Sequence, residues 1–146
     1  MDVILRIFHD LIHVYPQHPM VVHFPIALTG AALFFFLLAL WRHSEILEKV
    51  AFANISLAAA STIVAAAFGI YENVVSYDGK APTHTAKIFL ACALFAVSSA
   101  TAVVRWKQKD SFRNKVHKAF YVAAYFISFT LAAVLGFLGG VIIYGF

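Results

Sequence analysis

Residues 18–41 read HPMVVHFPIALTGAALFFFLLALW and contain no Lys, Arg, Asp or Glu. About 20 apolar residues in helical form cross the hydrocarbon core of a bilayer, so a transmembrane helix is expected over about 19–41. Two histidines and two prolines, His18, Pro19, His23 and Pro25, stand at its mouth. An imidazole about one turn inside such a helix costs free energy to desolvate and is usually kept for a ligand, a proton or a partner. His23 is therefore the leading candidate for a functional residue. The structural alternative is a bond to the Val21 carbonyl, which Pro25, having no N–H, leaves unpaired within the helix.

The composition extends this reading to the whole chain. Of 146 residues, 62% are hydrophobic and 12% charged, against about 25% charged in a soluble domain. The fold class expected is all-α: a single integral membrane domain, a four-transmembrane-helix bundle preceded by an amphipathic helix. A formal charge of +4 might suggest nucleic acid, but most cations fall in one short loop, which is a topology signal. Cys92 is the only cysteine, so neither a disulfide nor a thiolate metal cage is available.

Outward from the first span, residues 2–15 set Val3, Ile4, Ile7, Phe8, Leu11, Ile12 and Val14 against Asp2, Arg6, His9, Asp10 and His13 at helical spacing. An interfacial helix is expected there. With no basic start, continuous apolar core or small-residue cleavage site, it is not read as a signal peptide. His9 and His13 have the i,i+4 spacing of a chelating pair, but no third ligand accompanies them and a wet polar face is the simpler reading. After a loop holding Arg42, His43, Glu45, Glu48 and Lys49, a second span is expected over about 50–71. Its Ser61, Ala65 and Gly69 form a small-residue stripe that lets a helix or a flat ligand approach closely. Asp78-Gly79 and Ala81-Pro82 mark a turn. Thr83 is expected to cap a third span over about 84–105, with His84 in its first turn. A fourth span, about 119–145, carries Ala132, Gly136 and Gly140 at the same four-residue spacing. Ser98, Ser99 and Ser128 are expected to bond helix carbonyls.

Four crossings put Arg42, Lys49, Arg105, Lys107, Lys109, Arg113, Lys115 and Lys118 on one side and only Arg6, Lys80 and Lys87 on the other. By the positive-inside rule both termini are extracytoplasmic; in a bacterium this is the inner membrane. His9, His13, His18, His23 and His84 then share the outer side with Glu72. His23 and His84, on spans running the same way, are expected at matched depth. Two such imidazoles could hold a haem iron from opposite faces. His18 lies about 140° around an ideal helix from His23, so it is assigned to a propionate, a quinone oxygen, the loop backbone or, most simply, the helix start.

The run HPMVVHFPIAL, the small-residue second helix, the histidine opening the third and the closing GFLGGVIIYG resemble a family of small bacterial four-helix membrane proteins of unknown function marked by an HPxxVHFPIAL signature. The likeness covers nearly the whole chain. Relatives fused to Rieske or c-type cytochrome domains imply redox work near the outer face, and His18, His23 and His84 match the family's histidines. Glu72 departs from the aspartate that relatives often carry.

Three functions stand open from the sequence. The first is a haem b electron-transfer subunit between quinol and an outer redox partner, with His23 and His84 as iron ligands and His18, Gly69, Gly136 and Gly140 lining the cofactor; a quinone is a further candidate ligand. The second is a divalent-metal or proton-coupled transport element using His18, His23, His84 and Glu72, weakened by the lack of ionisable groups deeper in the spans. The third is an anchor or assembly subunit of a respiratory or photosynthetic complex. The partners expected are lipid, a redox complex or a second copy of the chain, not nucleic acid. No nucleophile–base set, phosphate loop or zinc signature points to an independent enzyme.

Overall fold

The computed structural model describes residues 3–4, 17–108 and 115–144, with side chains at 3–4, 19–108 and 117–141. Four helices follow one another: α1 Gln17–Arg42, α2 Glu45–Tyr77, α3 His84–Lys107 and α4 Lys115–Tyr144. Each is long and apolar enough to cross a membrane. Even the shortest, α3 with 24 residues, reaches about 36 Å against a hydrocarbon core of about 30 Å. The chain is a multi-pass membrane protein built as an up-down-up-down four-helix bundle. Residues 3 and 4 are helical; the rest of the expected interfacial helix, with His9 and His13, lies outside the described residues.

One pattern of burial builds the bundle. The fully buried positions step by four and three along every helix: Thr29, Ala32, Phe36 and Ala39 on α1; Ala51, Ile55, Ala58, Thr62 and Ala65 on α2; Leu94, Ser98 and Thr101 on α3; Tyr121, Tyr125, Ser128 and Ala132 on α4. That spacing keeps one stripe facing the axis, as in four-helix bundles. On α2 the packed stripe is therefore turned from the every-fourth set Ser61, Ala65 and Gly69; only Ala65 belongs to both, while Ser61 and Gly69 are half-buried. Each helix packs on two neighbours in ring order, α1 on α2 and α4, α3 on α2 and α4. The opposite faces carry Phe24, Phe34, Phe89, Phe126 and Phe137, all exposed, as a lipid-facing surface requires. Trp41 and Trp106 are exposed where α1 and α3 end, the level at which indoles favour the membrane interface.

The helix limits differ from expectation for local reasons. The first loop contracts to His43 and Ser44, with His43 at φ 50°. Ser44 caps α2 by accepting the Leu47 N–H at 3.4 Å, and Glu45 and Glu48 fall in the first turn, where the helix dipole favours carboxylates. Charge made this stretch read as loop; the cap makes it helix. At its other end α2 continues through Glu72 to Tyr77 and stops at left-handed Asp78, whose N–H reaches the Asn73 carbonyl. Gly79 follows at φ 74°, a backbone region glycine enters without a Cβ penalty. Lys115 and Lys118, expected in the third loop, lie in α4.

Candidate functional site

The end of the bundle that carries the 78–83 turn also carries the histidines. His23 lies six residues into α1, exposed, and its Nδ1 donates to the Pro19 carbonyl one turn back. The partner is Pro19, not the Val21 carbonyl below Pro25. Because a carbonyl only accepts, this bond fixes the proton on Nδ1 and leaves the Nε2 lone pair available. His84 opens α3, half-buried. Its Nδ1 donates to the Ala81 carbonyl at 3.0 Å, and its Nε2 accepts from the Thr85 hydroxyl at 3.2 Å. Both rings thus share one tautomer, held by main chain from the turn before.

The turn that holds His84 is itself tied down. Asn73 Oδ1 accepts the Ala81 N–H at 2.9 Å, and Lys80 N–H reaches the Tyr77 carbonyl at 2.8 Å. Thr83 does not cap α3 with its side chain as expected; it sits in the left-handed region at φ 57° with no cap bond from its hydroxyl. Its carbonyl accepts the Lys87 N–H at 3.0 Å instead. The Glu72 carboxylate on α2 acts electrostatically on Lys87, so opposite charges face each other beside His84.

The arrangement brings some expected residues to one end without joining them. His23 and His84 come from helices at opposite corners of the bundle, and no hydrogen bond links them. Among the described residues no three His, Cys, Asp or Glu side chains gather where they could hold a metal ion. The side chain of His18 lies outside the described residues. Gly69 and Gly140 are half-buried. Gly136 is a packing glycine: a Cβ there would stand 2.7 Å from Ile26 Cδ1, so α1 already fills the space expected for a flat ring. A Cβ on Gly139 would meet nothing within 4 Å, which makes it the open position of that stretch.

A second polar group at the opposite, basic end was missed by sequence reasoning. Arg105 on α3 binds Glu48 on α2 at two points, Nε to Oε1 and Nη2 to Oε2, the latter at 2.6 Å. Glu48 is 3% exposed and the Arg105 guanidinium lies 5.9 Å from the Phe52 ring centroid. Tyr121 and Tyr125 of α4 lie within electrostatic reach of both charges, and Phe36 of α1 stacks on Tyr125 at 4.7 Å and 20°. All four helices contribute to this knot. The signal was spacing: Glu48 continues the buried series 51, 55, 58 backward, and Arg105 continues 94, 98, 101 forward.

Most hydroxyls between the two ends are satisfied by their own helices. Thr29 donates to the Pro25 carbonyl at 2.7 Å, Thr62 to Ala58 at 2.8 Å, Ser98 to Leu94 at 2.7 Å and Thr101 to Val97 at 2.7 Å. Ser128 departs from the expected back-bonding: its buried Oγ has no partner among the described residues, and neither does Tyr125 Oη.

Comparison with curated proteins and with solved structures finds no match. A family model described as predicted membrane protein (DUF2231) matches residues 14–146, a stretch that contains all four spans, both candidate histidines and the Glu48–Arg105 pair. The chain belongs to this DUF2231 family of membrane proteins.

Proposed function

We propose that the protein is a haem b-binding electron-transfer subunit of the bacterial inner membrane, passing electrons between quinol and a redox partner at the extracytoplasmic face. The observation that carries the reading is the shared state of the two imidazoles, each donating Nδ1–H to a backbone carbonyl. Metal-ligating histidines are typically oriented in this way, with the second nitrogen fixed by a carbonyl or carboxylate. The donor set therefore fits haem iron chemically: two neutral imidazoles, both presenting Nε2, at one end of the bundle. Haem supplies a one-electron carrier when bound.

The chain's own residues do the rest. The Pro19 and Ala81 carbonyls set ring orientation. Because α1 and α3 stand at opposite corners, a group held by both rings spans the bundle. Lys87, beside His84 and facing Glu72, is the cation placed to meet an acidic substituent. The family match adds the membrane setting, and the positive-inside count orients the histidine end outward.

A second reading, an anchor or assembly subunit in a redox complex, is favoured by the exposure of His23: a partner helix laid against α1 would cover that ring. A visible spectrum separates the two. Protein purified after expression with ample haem should show a Soret band and a sharp reduced α-band, both lost in His23→Ala and in His84→Ala. A colourless, folded wild-type protein overturns the electron-transfer reading. Stoichiometric zinc or copper without haem would point to transport instead.

A further inference from the structure

The basic end of the bundle holds a buried ion pair beside a buried hydroxyl that no protein group satisfies. Glu48 accepts one N–H of Arg105 on each carboxylate oxygen. A carboxylate offers about four acceptor positions and a guanidinium five N–H donors, so both charges keep unused capacity. Tyr125, 1% exposed, is held from one side by the stacked Phe36 ring. Its Oη has no hydrogen-bond partner among the described residues, yet it lies within electrostatic reach of Glu48 and Arg105. An unpaired buried hydroxyl costs on the order of 1–3 kcal/mol. A cost of that size next to spare donors and acceptors is removed by one bridging molecule.

We propose that Glu48, Arg105 and Tyr125 enclose an interior water-binding site that joins α2, α3 and α4. The water accepts from an Arg105 N–H, donates to a Glu48 oxygen and bonds the Tyr125 hydroxyl. Three partners is the usual complement of a buried water, and bridging water is nearly as good as a direct bond. The site is independent of the haem reading and lies at the other end of the bundle. It makes the tyrosine hydroxyl part of the charged network and gives the Glu48 carboxylate a hydrogen-bonded neighbour beyond its arginine.

Difference infrared spectra of wild type in ordinary water and in 18O-labelled water test it. The expected result is a sharp water O–H stretch that moves to lower frequency on labelling, is absent in Tyr125→Phe and persists in Phe120→Leu, a control on the exposed face of the same helix. Tyr125→Phe should also lower the thermal midpoint by a few degrees, the usual size for losing one bond in a domain of this length. The absence of any label-sensitive sharp band from wild type overturns the proposal, and this holds whether or not the variant folds. A band that survives in Tyr125→Phe, or a midpoint in that variant equal to or above wild type, overturns it as well, since deleting an unsatisfied hydroxyl relieves a cost.

Discussion

Glu48 and Arg105, 57 positions apart in sequence, are bound to each other at two points between α2 and α3. Removing one member of a buried pair leaves the other without compensation, typically at about 3–5 kcal/mol. The two losses should differ. Arg105 keeps 13% of its side chain exposed against 4% for Glu48, and an arginine near a helix end can turn its head toward water. Arg105→Ala, which strands the carboxylate, is therefore expected to cost about 3 kcal/mol, and Glu48→Ala less. The double variant Glu48→Leu with Arg105→Met should recover most of the loss. Unfolding in detergent measures all three; equal and small losses would show that the pair is not shielded from water.

Glycines a few residues apart on α4 should respond in opposite directions. A Cβ at Gly136 meets Ile26 Cδ1 at 2.7 Å, and one at Gly139 meets nothing. Gly136→Ala is expected to cost about 1 kcal/mol as the Ile26 terminus is pushed aside, the low end for overpacking. Ile26→Val, which deletes the clashing methyl, should restore it. Gly139→Ala should be neutral or stabilising by up to about 1 kcal/mol through helix propensity. A Gly139→Ala variant that loses both stability and absorbance would instead place a bound group over that position.

The Thr85 hydroxyl competes for the atom a metal would use, since it donates to His84 Nε2. If His84 ligates iron, Thr85→Val leaves haem occupancy unchanged or raises it, because one neutral hydrogen bond of about 1 kcal/mol no longer has to be broken. His84→Ala abolishes occupancy. Reconstitution with haem, followed by titration of the Soret band, reads both. A Thr85→Val variant that loses the band while staying folded would mean that the hydroxyl positions His84 rather than competing for it.

How much of this was legible in the sequence follows from what each feature depends on. The spans could be read because they depend only on long runs without charge, and Pro19 through Trp41 is such a run. The ends of α2 could not, because they depend on local bonds: the Ser44 cap draws Glu45 and Glu48 into the helix, and the Asp78 stop lies six residues beyond Glu72. Charge and burial also gave conflicting signals at Glu48 and Arg105. Counted as charges they belong in loops, whereas counted by spacing from Ala51, Ile55, Leu94 and Ser98 they fall on the core stripe, and spacing prevailed because each neutralises the other. The histidines could be named from sequence. Their shared tautomer could not, since it rests on the Pro19 and Ala81 carbonyls of preceding turns.

Asn73 governs how firmly His84 is held. Its side-chain oxygen accepts the Ala81 N–H, its carbonyl receives the Asp78 and Gly79 N–H groups, and Ala81 in turn accepts Nδ1 of His84. Asn73→Ala removes the first bond and keeps the second set, so α2 should still end at Asp78 while the 78–83 turn loosens. The Ala81 amide should exchange with deuterium roughly 10-fold faster, the equivalent of about 1.4 kcal/mol. Global stability should fall by no more than about 1 kcal/mol, the net worth of one such bond. Asn73→Asp, which keeps an acceptor oxygen at the same reach, should exchange nearly as slowly as wild type. If Asn73→Ala leaves Ala81 exchange unchanged, the turn is held by backbone alone, and the placement of His84 depends on α3 rather than on the end of α2.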